Sequence, residues 1–383
     1  MSSAPMPGGY DPIEMDILRH EILSIPNQIE RNIERSAFSP LVQEYKDYSV
    51  GLVDAEGALV AQSRGSLPIF VANALGTGVR EALSVHGADG LLHGDAVLTN
   101  SAATLGQHLN NVVLLTPIRE GGEANGGLLG FFAVLVHWID VGGSTPGSST
   151  GTDTTDVWQE GLQLPCMRLL ERGRRNEDVF RLCAVNSRFP RLLLGDLEAQ
   201  LGGCMFGRDL MLDIVARRGA GMVKATLDRM RMQARDAAAG VLAGIAPGEY
   251  AAESFLDGEH GVQVPIRVVV RPSGSRLTID LSGLGKQMTG PSNAGRNGGA
   301  IAAARIAAKY ILTPDEPVNQ GDFDLLDVEA PDGTFLTASP DAPIGGSGNT
   351  IPTVVDTILR ALGDALPARA AAAHHGTYGV HTL

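Results

Sequence analysis

The sequence has few of the features that mark secreted, membrane-spanning or disulfide-stabilised proteins. Three cysteines occur in 383 residues, none of them in a CxxC spacing, which indicates free thiols in a reducing compartment. The longest strongly apolar run, GGLLGFFAVLV, is about half the length that a membrane-spanning helix needs. The opening stretch, MSSAPMPGGYDP, has neither the basic nor the apolar segment of a signal peptide. We therefore expect a cytoplasmic protein.

An excess of positive charge is also missing. The formal net charge is −13 at pH 7, and the acidic residues are scattered rather than gathered in a tail. Nucleic acids and anionic membranes are bound by basic patches, so we expect neither as a partner. A nucleotide-binding motif is lacking too, because GGSGN, which begins at Gly345, has no Walker lysine and does not fit a dinucleotide fingerprint. That segment is better interpreted as a tight turn.

The pattern of apolar residues predicts an α+β fold, with mixed sheets and packed helices. Helical spacing predicts a helix from Asp16 to Arg35, which Pro26 should kink or divide. Strand patterns run from YSVGLVD to GFFAVLVHWID and return after residue 247. Between them, residues 195–244 look helical, with breaks near GGC and RRGAG. We predict two domains, an N-terminal α+β domain over 1–246 that holds the functional site and a C-terminal α+β domain over 247–383.

Two histidines stand close to glycine-rich loops, in GQHLNN and in VHWIDVGG. His108 precedes a predicted strand, and His137 ends another, with Asp140 three residues further on. Imidazole nitrogens and carboxylate oxygens together suit zinc, manganese or iron, and an open coordination position would make such a site catalytic. A histidine with an ordinary structural hydrogen bond is the alternative, and the sequence leaves both open.

Further carboxylates follow a polar loop over residues 142–155. Asp153, Asp156 and Glu160 are candidates for a general base or for supporting a metal ligand. The alternative is helix capping, since TTDVWQE places polar side chains where a short helix would begin. We favour capping for Asp153 and leave Glu160 open.

Taken in order, these segments resemble the hydantoinase B/oxoprolinase family, which includes the B components of N-methylhydantoinases, half of 5-oxoprolinase, and subunits of acetone and acetophenone carboxylases. The resemblance runs over nearly the whole chain. It is carried by DPIEMDILRHEI, KDYSVGLVDAEGALVAQ, HGDAVLTN, QHLNNVVLLTP, HWIDVGGSTPGS, DVWQEGLQLP, LTIDLSG and GGSGN. Each segment is weak alone, and their order and spacing make the resemblance specific. Family members usually run well over a hundred residues further, so we expect the C-terminal part of the family to be lacking.

The resemblance implies a division of labour between two subunits. A hydantoinase A-like partner would bind ATP and phosphorylate a lactam or enolate oxygen, and this chain, which would not bind ATP, would process the activated intermediate. An unstrained amide is a poor electrophile, and phosphorylation of its oxygen supplies a leaving group. We expect a hetero-oligomeric hydrolase of cyclic amides. The alternatives are a component of an ATP-dependent ketone carboxylase and a degenerate, non-catalytic scaffold.

The resemblance also implies a site, with His108, Asn111 and His137 as ligands of a divalent metal. The remaining candidates are catalytic carboxylates: Asp140, Asp156 and Glu160. Family members usually carry His-x-x-Asp, whereas Asn111 stands at the acidic position here. An amide lacks the charge of a carboxylate, so we expect zinc, manganese or iron to bind weakly.

Other positions also depart from the family pattern. The usual Asn-Asp-Pro becomes Asn100-Ser101-Ala102, and Phe70 stands where a histidine is common. The second histidine of the usual pair is Trp138. These substitutions bear on catalytic competence.

Overall fold

The computed structural model describes residues 9–122, 126–148, 153–258, 261–369 and 372–373. Part of the predicted polar loop, and the outer ends of the two predicted domains, lie outside these residues. Helices and strands are mixed, as predicted. Over the described ranges no helix is long and apolar enough to cross a membrane.

The α-helices, in chain order, are α1 Pro12–Ser36, α2 Pro40–Gln43, α3 Pro68–Val71, α4 Ala74–His86, α5 Ala102–Leu105, α6 Glu177–Asn186, α7 Pro190–Arg218, α8 Ala220–Leu242, α9 Ala302–Leu312 and α10 Ser347–Ala361. The strands are β1 Tyr48–Asp54, β2 Leu59–Gln62, β3 Ala96–Thr99, β4 Asn111–Arg119, β5 Leu128–His137, β6 Met167–Glu171, β7 Arg174–Arg175, β8 Tyr250–Asp257, β9 Gln263–Pro272, β10 Leu277–Asp280 and β11 Leu326–Glu329. Short 3₁₀ turns lie at Glu120–Gly122, Val157–Glu160, Gln320–Phe323 and Pro367–Arg369, and a π-helical turn, Asn297–Ile301, leads into α9.

The first sheet has seven strands in the order β2-β1-β5-β4-β3-β6-β7, and each neighbouring pair is antiparallel. Strands β1 and β2 form a hairpin, which turns at Gly57 with a positive φ of 86°. The long strands β4 and β5 pair over most of their length at the centre of the sheet. Their near-continuous apolar sequence is explained by burial of both faces of the sheet.

Helices α1 and α7 cover one face of the first sheet. Pro26 lies inside a continuous α1, so the predicted division of this helix is wrong; Pro26 and its isoleucine neighbours are buried, and packing holds the helix together. The predicted break near GGC is also wrong, because α7 continues through Gly203. A Cβ there would lie 3.0 Å from Ile29 and Ile33, so glycine permits the close approach of α1. The predicted break at RRGAG is present at Gly219.

The opposite face of the first sheet packs against α4, and residues from the C-terminal part of the chain complete this core. Leu75 and Val79 of α4 are fully buried there, together with Phe70. Val318 and Phe323, which follow α9, belong to the same cluster. The two parts of the chain therefore share a hydrophobic core.

The second sheet has the order β11-β10-β9-β8, with β10 and β11 parallel. Helices α9 and α10 pack against it, and alanines let them lie close to one another and to the strands. The end of α8 also enters this core through Ala238 and Leu242. The domain boundary between 246 and 247 stays a prediction, because α8 ends before it but packs into the C-terminal core, and the core of the first sheet includes residues from both sides of it.

Candidate active site at the end of the first sheet

The pairing of β4 with β5 brings the two polar segments of the sequence together. Asn111, the first residue of β4, is the cross-strand partner of His137, the last residue of β5. Side chains of opposed residues on antiparallel strands project from the same face, with Cβ atoms about 5 Å apart. The backbone amide of Asn111 donates to the carbonyl of His108 at 3.0 Å, which folds the preceding loop back towards the strand ends.

His108 and His137, hereafter the histidine pair, face each other edge to face. Their ring centroids are 5.0 Å apart and their planes make an angle of 76°. Both ring nitrogens of His108 and Nδ1 of His137 are shielded from solvent and have no hydrogen-bond partner among the described residues. Burial lowers the pKa of each imidazole to about 4. Both rings are therefore neutral at neutral pH and keep lone pairs free for a ligand.

Buried side-chain oxygens lie on residues that adjoin the histidine pair in the chain or across the strands. The side chain of Asn111 donates to Gln107 at 3.3 Å, which leaves its Oδ1 buried and unpartnered in the described structure. Oδ1 of Asn110 and Oδ1 of Asp47 are likewise buried and have no hydrogen-bond partner in the described residues. Burial raises the pKa of Asp47 to about 6, although nearby His108 opposes the shift. Neutral imidazoles and oxygen donors are the ligand types that zinc, manganese and iron accept.

Asp47 was not among the residues predicted from the sequence. It directly precedes β1, and its carbonyl accepts a hydrogen bond from the amide of His137 at 3.0 Å. Its proximity depends on β1 lying next to β5, a long-range pairing that no local pattern shows. Its only signal in the sequence is a carboxylate at the start of a strand.

The donor set suits a weakly held divalent cation better than a tightly held one. No group of three or more histidine, cysteine or acidic side chains is arranged to hold a metal ion in the part of the chain that the structure describes. Asp47 is close to His108 but does not join both histidines in such a group, so a cation at the histidine pair would depend on the uncharged carboxamide of Asn111 for a third donor. Binding by two imidazoles and a neutral oxygen lacks the charge neutralisation that a carboxylate provides.

Glu160 is a buried carboxylate with one committed oxygen and one free oxygen. Its Oε1 accepts from the amides of Ile344 at 2.8 Å and Gly345 at 2.7 Å. Its Oε2 is buried without a hydrogen-bond partner in the described residues. Burial raises the pKa of Glu160 to about 7, although the two amides oppose the shift. A carboxyl group with this pKa can take up or release a proton at neutral pH.

The turn at Gly345 lies between Glu160 and the histidine pair. Its amide donates to Glu160, and its backbone also lies beside His108 and favours the protonated imidazole. The sequence predicted only a tight turn for GGSGN. Its place beside the candidate site follows from the packing of the C-terminal part on the first sheet, which local patterns do not show.

The carboxylate of Asp140 is committed to its own loop. It accepts from the amides of Gly142 at 3.1 Å and Gly147 at 2.9 Å, and it binds both the amide and the guanidinium of Arg188 at 3.0 and 2.9 Å. Burial opposes ionisation, but the bonds from Arg188 and the two glycines prevail and lower the pKa of Asp140. These contacts indicate that Asp140 holds the loop after β5 in place.

Asp156 caps the 3₁₀ turn Val157–Glu160 and accepts from the amide of Gln159 at 3.1 Å. The cap is thus Asp156, whereas the sequence favoured Asp153, which is exposed; that prediction was wrong. Capping fixes the backbone that carries Glu160. Asp156 therefore acts on the site through the position of its neighbour.

Two departures from the family pattern have structural roles. The indole of Trp138 donates to Oε1 of Gln200 at 2.9 Å and so ties the end of β5 to α7. Phe70 is buried in the core beneath α4. Both side chains fill space in well-packed regions.

Comparison with known proteins places these observations in a family. The family model described as hydantoinase B/oxoprolinase matches residues 11–383. The chain is 28% identical over 371 residues to a protein of Pseudomonas sp. strain NS671 that is named as the B component of a D-/L-hydantoinase, and the match covers 93% of this chain and 62% of that one. The chain thus spans a little under two thirds of this relative.

Two solved structures share the fold. The crystal structure of ATP-dependent caprolactamase from Pseudomonas jessenii matches with a TM-score of 0.83 at 24% identity, over 94% of this chain and 62% of that one. The nucleotide-free structure of acetone carboxylase matches with a TM-score of 0.81 at 18% identity, over 94% of this chain and 48% of that one.

Proposed function

Because the chain belongs to the hydantoinase B/oxoprolinase family, we propose that it is the subunit of an ATP-dependent cyclic-amide hydrolase that processes an intermediate activated by a partner. The observation that carries this proposal is the histidine pair, which lies at a strand end with three shielded and unpartnered ring nitrogens. Buried polar atoms without partners are uncommon and frequently mark a ligand site. The relative named as a hydantoinase component supports a cyclic amide as the substrate class.

His108, His137 and Asn111 are the residues that would hold a divalent cation, which we propose to be zinc, manganese or iron. When bound, such a cation polarises a carbonyl oxygen and lowers the pKa of bound water. Neutral imidazoles suit this task because a protonated ring has no free lone pair, and burial lowers the pKa of both rings to about 4. Asn111, which lies opposite His137, supplies the weakest of the three donors.

Glu160 is the proposed general base. In the activated intermediate the ring oxygen carries the phosphoryl group that the partner transferred. The free Oε2 of Glu160 would accept the proton of a water molecule as the water oxygen bonds to the ring carbon, and the ring nitrogen would gain a proton as its bond to that carbon breaks. The acyl phosphate formed in this way would be hydrolysed by a second water molecule to the carboxylate and inorganic phosphate. The pKa of about 7 suits a group that must both accept and return a proton. Asp156 and Asp140 support this chemistry by position: Asp156 caps the turn that carries Glu160, and Asp140 anchors the loop after His137.

ATP is assigned to the partner, a hydantoinase A-like protein, in a hetero-oligomer. The family resemblance and the lack of a phosphate-binding lysine in the GGSGN segment support this division. The energetic reason is amide resonance, which makes an unstrained ring carbonyl resistant to water. Phosphorylation of its oxygen by the partner would raise its reactivity before this chain acts on it.

Two alternatives are each favoured by particular observations. A role in a ketone carboxylase is favoured by the likeness of the fold to acetone carboxylase. A non-catalytic scaffold is favoured by Asn111 and by the lack, within the described residues, of a three-residue acidic or histidine metal cluster. Under both alternatives this chain would still pair with an ATP-using protein.

The test is reconstitution of this chain with its ATP-using partner. ATP turnover is measured with hydantoins, 5-oxoproline and caprolactam, and with acetone plus bicarbonate, while metal content is measured on the same complex. Ring opening that requires ATP and is lost in Glu160→Gln and His137→Gln supports the hydrolase. Product formation from acetone and bicarbonate alone selects the carboxylase. Turnover that is unchanged in both variants selects the scaffold.

A further inference from the structure

A large cavity opens away from the histidine pair, between the two parts of the chain. Its volume is about 860 Å³, and none of its lining residues belongs to the candidate active site. It is lined by the first half of α1, by the segment after β2, and by α9 with the segment that follows it. Cavities of this size accommodate small organic ligands.

The cavity collects positive charge in an acidic protein. Four cationic side chains line it: Arg19, Arg64, Arg305 and Lys309. Lys309 is paired with Asp322 at 3.0 Å, whereas the three arginines make no ion pair within the described residues. The chain as a whole carries a net charge of −13, so these three arginines give the cavity a local positive charge that contrasts with the negative charge of the whole chain.

Arg305 is held in position by contacts with uncharged groups, although Asp324 lies near enough to favour its charged form. Its guanidinium donates to the carbonyl of Ala72 at 3.0 Å and lies 4.9 Å from the centre of the Phe323 ring. Burial, reinforced by nearby Arg80, lowers its pKa to about 10, so the group is still a cation at neutral pH. A cation removed from water costs free energy unless an anion or hydrogen-bond acceptors replace the lost hydration.

The remaining lining defines the shape of a ligand. Leu23, Ile306 and Phe323 are apolar lining residues, and the centre of the Phe323 ring lies 4.9 Å from the guanidinium of Arg305. Oε1 of Gln62 is buried and has no hydrogen-bond partner in the described part of the chain, so it can accept from a ligand donor. Asp315 and Glu316 also line the cavity, and they disfavour a polyanion such as a triphosphate.

We propose that this cavity binds a small organic monoanion, a carboxylate or sulfonate with an apolar or aromatic body. The anionic group would contact Arg305 and Arg64, and the body would lie against Leu23, Ile306 and Phe323. This site is distinct from the histidine pair and does not depend on the proposed hydrolase activity.

The test uses the whole chain and two dyes that differ in one anionic group. Anilinonaphthalene sulfonate carries the sulfonate, and N-phenylnaphthylamine is its neutral counterpart. We expect about one sulfonated dye per chain, displaced by benzoate, with an affinity about tenfold lower in Arg305→Gln, as expected for loss of a charge-assisted contact. Affinity for the neutral dye should not change in that variant. Arg181→Gln, an exposed arginine outside the cavity, is the matched control.

Equal affinity of the sulfonated dye for wild type and for a folded Arg305→Gln would overturn the proposal, as would the absence of benzoate displacement. Circular dichroism melts establish that the variant is folded. If Arg305→Gln does not fold, Arg64→Gln decides, because its exposed side chain can be replaced without disturbing the core. A loss of affinity in Arg64→Gln but not in Arg181→Gln supports the site, and equal affinity in these two variants rejects it.

Discussion

At the scale of single residues, burial has opposite consequences for carboxylates that differ in their partners. Asp140 is fully buried, yet four hydrogen bonds lower its pKa and leave it ionised and committed to its loop. Glu160 is equally buried but has one unpartnered oxygen in the described structure, and its pKa is raised to about 7. Perturbed groups with spare hydrogen-bonding capacity are candidates for chemistry, whereas saturated ones are structural. Glu160 therefore ranks above Asp140 as a catalytic group.

The residue that limits metal binding is expected to be Asn111. Asn111→Asp places a carboxylate opposite His137 and should tighten binding of Mn²⁺ or Zn²⁺ by about tenfold at neutral pH, because a charged ligand neutralises part of the cation. His137→Gln should abolish binding. Metal content after loading and desalting, with the metal-induced rise in melting temperature, measures both effects. Equal content near zero in wild type and in Asn111→Asp would favour the scaffold alternative.

Glu160 gives a stability prediction with a definite sign. Its pKa in the folded chain, about 7, lies above the ordinary 4.5, so the folded state holds the proton more tightly than the unfolded state. This contribution is fully present below pH 4.5 and is lost as the pH rises to 7, by roughly 3 kcal/mol at most. Glu160→Gln keeps an acceptor for the amides of Ile344 and Gly345 and cannot ionise.

We therefore expect Glu160→Gln to gain stability relative to wild type as the pH rises from 5 to 8. Chemical denaturation at several pH values measures this difference. In the unfolded state His108 and His137 titrate in this interval, whereas the folded pair is already neutral; this contribution is the same in both proteins and cancels. A stability difference that does not vary with pH would show that the carboxyl of Glu160 has an ordinary pKa.

At the scale of helices and strands, local patterns predicted most elements and failed where packing decides. The strands of the β1–β2 hairpin and the central pair β4 and β5 lie where alternating or continuous apolar residues predicted them. Pro26 and Gly203 looked like helix breaks, but buried contacts between α1 and α7 keep both helices continuous. The order of strands, which brings Asp47 next to His137, depends on pairings between distant segments and could not be predicted.

The loop that carries His108 depends on a close backbone contact at Gly106. Its φ is +66°, a Cβ there would lie 2.8 Å from the carbonyl of Gly295, and its own carbonyl accepts from the amide of Gly295 at 3.0 Å. Gly106→Ala should destabilise the chain by roughly 2 kcal/mol, because it adds backbone strain and a steric clash. It should also weaken any metal binding at the histidine pair, since the loop must shift.

Gly240→Ala is the matched control for this prediction. Gly240 lies inside α8, and a Cβ there would have no neighbour within 4 Å. Alanine at this position should raise the free energy of unfolding by up to about 1 kcal/mol. Urea denaturation measures both variants. Similar small effects from the two substitutions would contradict the role given to Gly106.

At the scale of the whole molecule, the two sheets are coupled through the segment after α9. Phe323 belongs to the core of the first sheet, and Asp324 receives two hydrogen bonds from Arg231 of α8, each 2.9 Å long. Asn319 also donates to the carbonyl of Met230 at 3.2 Å. We expect one cooperative unfolding transition, because neither part completes its core without the other. Calorimetry that resolves two transitions would instead support independent domains at 1–246 and 247–383.

The division of labour with a partner gives the last prediction. The isolated chain should neither bind ATP tightly nor hydrolyse it, because no glycine-rich loop with a phosphate-binding lysine is present in its sequence. ATP turnover should begin only when the ATP-using partner is added, and ring opening should then depend on this chain. His137→Gln in the complex should uncouple ATP turnover from ring opening. The partner would still consume ATP, but opening of the cyclic amide would fall at least about a hundredfold. This is the scale expected when a metal ligand or its support is lost. Parallel assays of phosphate release and ring-opened product measure the coupling. Tight ATP binding to the chain alone in calorimetry, or equal loss of both activities in His137→Gln, would place the activation step in this chain and contradict the proposed division.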